Sequence, residues 1–308
     1  MKQKNSSIAA LSLLLTALGI QSAGAAFVTL TSPDNKWRLN SDEFGAAGEG
    51  VAGSITARDF GAGLTGYTWA SGVMLTDGSA RQALSSDTAN LGLATSGSLG
   101  AANVISDSTV GSTRTSTYTV TGFANLRVTL TQSVSNSGIS QNYVLSNTGA
   151  SAINLSAISF RDVDLDGGTF LNDSIASIGG TLRVSEGGRD VFFSPSSVGY
   201  VGFLAGLRGG GGITGDLDGL AWTNFGIPGA NLNQFREVTG GVIGANMDAD
   251  SDGISDGVSD VGYLFQHNLN IPAGGNAFFA VSQLSAVPEP SAALLGLLTL
   301  GLAARRRR

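Results

Sequence analysis

The stretch LRVTLTQSV, residues 126–134, alternates apolar and polar side chains without a break. Because successive side chains of a β-strand point to opposite faces, Leu126, Val128 and Leu130 would line a single buried face. The turn-forming residues SNSG follow at 135–138, and residues 139–146 return to β-forming residue types. Two such runs joined by a short turn predict an antiparallel β-hairpin.

Further strands are predicted on both sides of this hairpin. They are residues 115–120, 152–160, 262–269 and 276–284, with turns at 147–149 and 271–275. In residues 27–111 the pattern is weaker, and Gly61-Ala62-Gly63 is typical of a loop between short strands. No stretch of residues 27–286 shows a sustained helical period. We therefore predict an all-β fold, a single large antiparallel β-sandwich domain over residues 27–286.

The composition of the 308 residues limits the chemistry of this domain. Cysteine is absent and His267 is the only histidine, which excludes thiolate catalysis, cysteine zinc sites and histidine-cluster zinc chemistry. Charged side chains make up only 13% of the chain, and the formal net charge is −6. This acidic balance disfavours nucleic acid as a partner, because phosphate binding needs basic patches, and it is compatible with cations.

The N-terminus has the three parts of a secretory signal peptide. Lys2 and Lys4 form a basic region, residues 8–20 form an apolar core, and Ala23-Gly24-Ala25 matches the small-residue cleavage pattern. The apolar core is too short for an ordinary transmembrane helix. We therefore expect residues 1–26 to be a signal helix that signal peptidase removes during export.

The last residues, 287–308, combine three features in a fixed order. Pro288, Glu289 and Pro290 form an extended motif, because each proline fixes φ and disfavours helix before it. An apolar run follows at 292–304, shorter than the roughly 20 residues of a usual membrane span. The chain ends with the basic cluster Arg305, Arg306, Arg307 and Arg308, which the positive-inside rule places in the cytoplasm. From these features the segment is a processing signal, a permanent anchor or a frayed tail.

This order of features resembles the PEP-CTERM sorting tag of Gram-negative bacteria. The resemblance covers residues 287–308 only. It implies that a C-terminal hydrophobic helix inserts transiently into the inner membrane and that an exosortase cuts near the Pro-Glu-Pro motif. It also implies delivery to the cell surface or the extracellular matrix. It implies no activity for residues 27–286.

Residues 248–256, DADSDGISD, concentrate carboxylates in a short segment. Asp248, Asp250, Asp252 and Asp256 have a spacing that lets them converge on one hard cation, and Gly253 permits the sharp turn. The stretch resembles the calcium loops of EF-hands, dockerins and thrombospondin type-3 repeats, although a serine stands at the last ligand position. The resemblance implies Ca²⁺ as a cofactor. The alternative is a solvated acidic turn.

A second acidic run, DVDLDG at 162–167, also spaces its carboxylates so that they could converge on one cation. Its candidate calcium ligands are Asp162, Asp164, Asp166 and Asp173. Val163 and Leu165 alternate with these aspartates, however, so the run is equally compatible with the end of the preceding strand.

Other residues have weaker functional signals. His267 lies in an apolar strand pattern without the neighbours of a catalytic triad, which favours a structural role. Trp37, Trp69 and Trp222 would suit either the core or a sugar-stacking platform. The glycines at 209–212 lack the lysine and the helix of a phosphate-binding loop, so a plain loop is predicted there.

These observations favour an exported surface or extracellular-matrix protein, associated with biofilm or exopolysaccharide, whose domain is non-catalytic and calcium-stabilised. Extracellular polysaccharide is its expected partner. Two alternatives stay open. One is a carbohydrate-binding module, and the other is a carbohydrate-active enzyme that uses a pair of carboxylates about 5–10 Å apart.

The sorting tag predicts a truncated C-terminus in the native host. Mass spectrometry of the surface-localised protein should find no peptide that contains Arg308, because processing would remove the helix and the arginines with it. Replacing both Pro288 and Pro290 by alanine should leave the full-length chain in the membrane fraction. An intact Arg308 on the surface-localised wild-type protein would contradict the processing step.

Overall fold

The computed structural model describes residues 28–45, 56–61, 64–77, 81–84, 103–165, 172–207, 240–259 and 261–284. In chain order its strands are β1 (Val28–Thr31), β2 (Trp37–Ser41), β3 (Thr56–Gly61), β4 (Leu64–Thr76), β5 (Arg81–Leu84), β6 (Asn103–Val110), β7 (Thr113–Val120), β8 (Phe123–Ser135), β9 (Gly138–Asn147), β10 (Ile153–Asp164), β11 (Ser174–Ile178), β12 (Thr181–Glu186), β13 (Arg189–Pro195), β14 (Tyr200–Leu207), β15 (Gly240–Ile243), β16 (Val261–Ile271) and β17 (Asn276–Leu284). In this part of the chain, no helix is long and apolar enough to cross a membrane. The predicted signal helix and the sorting tag lie outside the described residues.

The strands form two large sheets, which confirms the predicted all-β sandwich. Sheet A has the order β1-β2-β3-β4-β10-β16-β14-β15, with β5 also paired to β4. Sheet B has the order β11-β12-β13-β17-β9-β8-β7-β6. The pairs are antiparallel except for β14 and β15, which run parallel at one end of sheet A. The connection between these two strands lies outside the described residues.

The expectation of short strands in the N-terminal part needs one correction. β4 is a 13-residue strand at the middle of sheet A, where it pairs with both β3 and β10. Its residues 71–76 are all buried, so the segment does not alternate between apolar and polar side chains. A strand that is covered on both faces loses the two-residue period on which the sequence prediction rests.

The predicted hairpin is formed by β8 and β9, in a register that runs from Leu126 opposite Asn147 to Ser135 opposite Gly138. Gly138 has a φ of +153°, and a Cβ atom at this position would lie 2.0 Å from the carbonyl oxygen of Gln283 in β17. Only glycine fits here, because the neighbouring strand passes too close for any side chain. The close approach of β17 to Gly138 therefore requires a glycine at the end of this hairpin turn.

Two apolar clusters fill the space between the sheets. One includes Val184, Phe193, Val261, Tyr263 and Phe265. The other includes Leu75, Tyr118, Leu130, Leu155 and Phe279. Each cluster draws on both sheets, so each stabilises the sandwich by removing apolar surface from water.

A polar belt separates the two clusters. Along β8, β9 and β10 the inward side chains lead from one cluster, through polar residues, to the other. Gln132, Gln141 and Arg161 are the large polar residues at these crossing points, and all three are buried. Ser41 of β2 joins them, donating a 2.7 Å hydrogen bond to Oε1 of Gln132. The belt thus connects strands of both sheets inside the sandwich.

Arg161 is the centre of the belt and is only 4% exposed. Its guanidinium donates one hydrogen bond to Oε1 of Gln141 in the opposite sheet and one of 2.8 Å to the carbonyl of Phe160. Nε2 of Gln141 donates in turn to the carbonyl of Gly45 at 2.8 Å and to Oε1 of Gln132 at 3.1 Å. Because a buried cation without hydrogen-bond acceptors costs several kcal/mol, these bonds make the alignment of β10 against β9 specific.

The belt ends at a second buried arginine, Arg114 of β7. It forms a two-pronged ion pair with the Asp107 carboxylate, at 2.9 and 2.7 Å, and donates a 2.9 Å hydrogen bond to the carbonyl of Ser41. Glu43 lies 3.9 Å from the same guanidinium. Burial raises the pKa of the Glu43 carboxyl, and the Arg114 charge opposes that change. Two arginines therefore bring positive charge into the belt, and Asp42 and Glu43 are buried carboxylates at its Arg114 end.

His267 is buried in β16, as its apolar sequence context predicts. Its Nε2 lies 3.2 Å from the carbonyl oxygen of Ser196, which can only accept, so this nitrogen carries the proton. Nδ1 has no hydrogen-bond partner among the described residues. Burial lowers the pKa of the imidazole to about 4, against a weaker opposite effect of the bond to Ser196. The ring is thus neutral in the folded protein at neutral pH.

This histidine predicts a loss of stability in mild acid. The imidazole takes up a proton near pH 6.5 in the unfolded chain and near pH 4 in the folded chain. The contribution of His267 to the free energy of unfolding is therefore fully present above pH 6.5 and is lost as the pH falls towards 4. The expected loss is about 3 kcal/mol at most. Urea unfolding at pH 7 and pH 4.5 measures it. In His267→Phe the difference between the two pH values should shrink, and an unchanged difference would contradict the assignment.

Candidate functional site

A pocket of about 430 Å³ lies on the outer face of sheet A. Three neighbouring strands, β4, β10 and β16, supply its walls. Its lining residues are Thr76, Asp77, Asn154, Leu155, Ser156, Asn268, Leu269 and Asn270. Most of these side chains carry an amide or a hydroxyl, and Asp77 is the only carboxylate among the described lining residues.

Strand alternation places the polar residues in this pocket. Leu155 and Ala157 of β10 point into the core, so Asn154 and Ser156 point to the outer face. In β16, Leu269 points inward in the same way. The register sets Asn154 opposite Asn270 and Ser156 opposite Asn268, so that the polar residues of two strands become direct neighbours.

Cross-strand hydrogen bonds hold these side chains in place. Nδ2 of Asn270 donates to Oδ1 of Asn154 at 2.6 Å, and the Ser156 hydroxyl donates to Oδ1 of Asn268 at 2.9 Å. Gln266 also donates to Oδ1 of Asn268, at 3.0 Å. The Nδ2 groups of Asn154 and Asn268 make none of these bonds, and neither does Oδ1 of Asn270. Two amide donors and one carbonyl acceptor are therefore available to a ligand.

The same face changes character further along the strands. Met74, Ile158, Phe160 and Leu264 are adjacent in the register of β4, β10 and β16, and all four are buried. Across these three strands, the accessible part of the described outer face is therefore its amide-bearing end. A ligand would meet hydroxyls and amides there.

The acidic segment 248–256 contains the second candidate site. Carboxylate oxygens of Asp248, Asp250 and Asp256 lie within 4.8 Å of one another. Asp248 is buried and the other two are exposed. This group contains three of the four carboxylates that the sequence predicts as ligands in this loop. Asp252 lies outside it, and its Oδ1 accepts a 2.8 Å hydrogen bond from the amide of Ile254.

Backbone amides fix the conformation of this acidic loop. Asp248 accepts hydrogen bonds from the amides of Asp252 at 3.1 Å and Gly253 at 2.9 Å, and Asp256 accepts one from Ala249 at 2.8 Å. The Asp252 amide lowers the pKa of Asp250, but the charges of Asp252 and Asp256 together with desolvation outweigh it and leave that pKa raised. Mutual repulsion of this kind is what a bound cation would relieve.

The acidic loop also joins the two sheets. It follows β15 at the end of sheet A, and its later residues lie along β11 at the end of sheet B. Ser255 donates a 2.8 Å backbone hydrogen bond to Ile175, and Ser177 donates one of 2.8 Å to Gly253. Met247, just before the loop, is buried in one of the apolar clusters. The loop therefore connects the end of sheet A to β11 of sheet B, and a change in its conformation would disturb the contact between these two sheet ends.

The second acidic run does not form a loop at its start. Asp162 and Asp164 belong to β10, and Val163 and Leu165 are buried, as expected for the end of a strand. Asp166 and the side chains of Asp162 and Asp164 lie outside the described part of the structure. Asp173 is buried and exchanges two backbone hydrogen bonds with Ser259, at 3.1 and 2.9 Å. It does not belong to the convergent carboxylate group.

The other residues selected from the sequence divide between the core and the undescribed segments. Trp37 is fully buried in an apolar cluster, so it cannot stack on a sugar. The side chains of Trp69 and Trp222, the glycines at 209–212 and the sorting motif lie outside the described residues.

The amide pocket itself was not predicted. Its only signal is the pair of short alternating patterns NLS at 154–156 and NLN at 268–270, and nothing in the sequence shows that they face each other. That juxtaposition comes from the register of β10 against β16.

Comparisons with known proteins give similarity at the level of the fold. A bacterial glucoamylase, crystallised with acarbose, is 10% identical with a TM-score of 0.49, over 91% of this chain and 35% of its own. This chain therefore spans about a third of that enzyme. A galactose mutarotase-like protein from Lactobacillus casei is 9% identical with a TM-score of 0.40, over 84% of this chain and 99% of its own. A protein from Synechocystis is 7% identical with a TM-score of 0.43, over 85% and 97%. No protein-family model and no curated protein matches the sequence.

These neighbours correct the first functional interpretation. The expected non-catalytic surface or matrix domain was wrong, because the neighbours that are named for an activity, the glucoamylase and the galactose mutarotase-like protein, are named for saccharide chemistry. At such identities they assign no role to any residue of this chain.

Proposed function

We propose that this chain is an exported carbohydrate-active domain that binds a neutral saccharide in the pocket on sheet A. The observation that supports the proposal is the convergence of amide and hydroxyl side chains from three strands around about 430 Å³. This volume falls in the range of about 300–1,000 Å³ that is usual for small-ligand sites. Sugar hydroxyls both donate and accept hydrogen bonds, and amide side chains match both functions.

The rigidity of the pocket favours binding. Asn154, Ser156, Asn268 and Asn270 stand on paired strands and are restrained by cross-strand hydrogen bonds. Side chains that are already ordered lose little conformational entropy when a ligand binds. Glycoside hydrolysis generally needs two carboxyl groups, and Asp77 is the one carboxylate among the described lining residues. Binding is therefore the part of the proposal that these residues support directly.

Calorimetric titration of the full chain with a panel of neutral oligosaccharides tests this site. We expect Asn268→Ala and Asn270→Ala each to weaken binding about fivefold, since each removes about one neutral hydrogen bond. Asn136→Ala, which removes an exposed amide in the turn between β8 and β9, outside the pocket, is the matched control and should bind as the wild type does. The same samples are assayed for hydrolysis and for interconversion of anomers.

The saccharide proposal fails on either of two results. One is that the folded wild type binds no member of the panel. The other is that both pocket variants bind as tightly as Asn136→Ala.

We propose Ca²⁺ as the cation of the acidic loop. Three carboxylates converge there, and calcium prefers oxygen ligands in flexible arrangements. Asp248, Asp250 and Asp256 would hold the ion, with water completing its coordination. Because the loop links the ends of the two sheets, a bound ion would stabilise the closed sandwich.

Calcium should raise the melting temperature, and a matched pair of variants tests where it binds. With free metal about tenfold above its Kd, stabilisation is about 1.4 kcal/mol, or roughly 3–5 °C. Asp250→Asn should reduce this shift, because it removes a charge from the convergent group. Asp252→Asn makes the same chemical change outside that group and should retain the shift. Equal shifts in both variants, or none in the wild type, would show an ordinary acidic turn.

We also propose that export and sorting follow the terminal segments. A signal peptide at residues 1–26 and a PEP-CTERM tag at 287–308 would take the saccharide-binding domain through the inner membrane to the cell surface or extracellular matrix. Signal peptidase and an exosortase would be its partners during transport. A saccharide ligand is compatible with a domain in that location.

A further inference from the structure

The outer face of sheet B carries a regular array of hydroxyl and amide side chains. The inward residues of β7, β8, β9 and β17 are buried, so the alternating residues between them point outward. These outward residues, which we call the hydroxyl grid, include Thr113, Thr115, Thr117, Thr129, Thr131, Ser133, Ser140, Asn142, Val144, Phe278, Ala280 and Ser282. The grid lies on the opposite sheet from the amide pocket.

Strand register aligns the grid into rows. One row contains Thr117, Thr129, Val144 and Phe278, each directly opposite the next on the neighbouring strand. The rows before and after it are built in the same way. Neighbouring positions are about 4.8 Å apart across the strands and roughly 6.7 Å apart along them. The hydroxyls of Thr117 and Thr129 lie 3.2 Å from each other, so these neighbours within one row are in hydrogen-bonding contact.

The grid is almost free of charge. Among the described outward residues of its four strands, Arg127 is the only charged one. A surface with about 25–35% charged residues is the recommended composition for a soluble designed protein, and this chain has a net charge of −6. A face without charged side chains offers a charged ligand no ion pair, and the negative net charge of the chain disfavours anionic ligands. It is therefore complementary to an uncharged partner that is rich in hydroxyls.

An exposed aromatic ring lies within the same face. Phe278 is 51% exposed and has Val144, 39% exposed, directly opposite it on β9. The two side chains form a small apolar patch beside threonine hydroxyls. Aromatic rings offer apolar contact to the C–H face of a sugar ring while the surrounding hydroxyls meet its edge. Phe278 has the exposure that a sugar-stacking ring needs and that the buried Trp37 lacks.

We propose that the hydroxyl grid binds an extended, neutral polysaccharide, with one sugar ring stacked on Phe278. A second copy of this chain fits the face less well. Stable homodimer interfaces bury about 800 Å² on each partner and are more apolar than other surface, whereas the grid offers two exposed apolar side chains among hydroxyls. The proposal goes beyond the amide pocket, because the two surfaces are on different sheets and use different residues.

Retention of the full chain on insoluble amorphous cellulose and starch tests the grid, with an alginate gel as the anionic comparison. We expect retention on at least one neutral polymer and none on alginate. Phe278→Ala should weaken retention about tenfold, through loss of the stacked ring. Ile178→Ala removes a similarly exposed apolar side chain outside the grid and should have no effect. Thr131→Glu should also weaken retention, because it places a charge in the middle of the grid.

Three results would overturn the proposal. The first is equal retention of the wild type, Phe278→Ala and Thr131→Glu. The second is loss of retention in Asn270→Ala, which would assign the polymer to the amide pocket. The third is concentration-dependent self-association in sedimentation that Phe278→Ala abolishes, which would assign the face to a second copy. Binding at the pocket is measured separately, with soluble oligosaccharides. The proposal for one site can therefore be rejected while the proposal for the other is kept.

Discussion

One buried charge, the guanidinium of Arg161, constrains how the two sheets fit together. Among the described residues no carboxylate pairs with it, and its acceptors are the side chain of Gln141 and the carbonyl of Phe160. Burial raises the pKa of the neighbouring Tyr143 and Tyr263 phenols, and the Arg161 charge opposes that change. Removing one partner of a buried charge typically costs about 3–5 kcal/mol. The hydrogen bond to Gln141 therefore specifies one alignment of β10 against the opposite sheet.

That alignment also determines what β10 presents on its other face. A shift of one residue would turn Arg161 outward and bring Asn154 and Ser156 into the core, because the side-chain period of a strand is two residues. The inward arginine and the outward amides are thus two consequences of the same register. The core of this sandwich and its candidate saccharide site cannot be varied independently. Substitutions in the polar belt that shift β10 are therefore expected to change the positions of the pocket side chains as well.

The parts that could be read from the sequence are those in which local pattern and burial agree. The hairpin of β8 and β9 has one buried face, so Leu126, Val128 and Leu130 show the two-residue period clearly. β4 is buried on both faces where it meets β10 and lacks that period. The acidic loop is a local feature, and three of its aspartates do converge. The amide pocket joins residues more than a hundred positions apart, such as Ser156 and Asn268, and local sequence contains no information on that pairing.

The two proposed saccharide surfaces would give this domain two different modes of contact. The pocket on sheet A would enclose a short saccharide by fixed amides, and the grid on sheet B would lie along a polymer. A crystal structure of the full chain with a bound neutral oligosaccharide tests the pocket most directly. We predict density for the sugar against the free amide groups of Asn154 and Asn268 and the carbonyl oxygen of Asn270. A sugar bound elsewhere, with these three side chains solvated as before, would contradict the assignment.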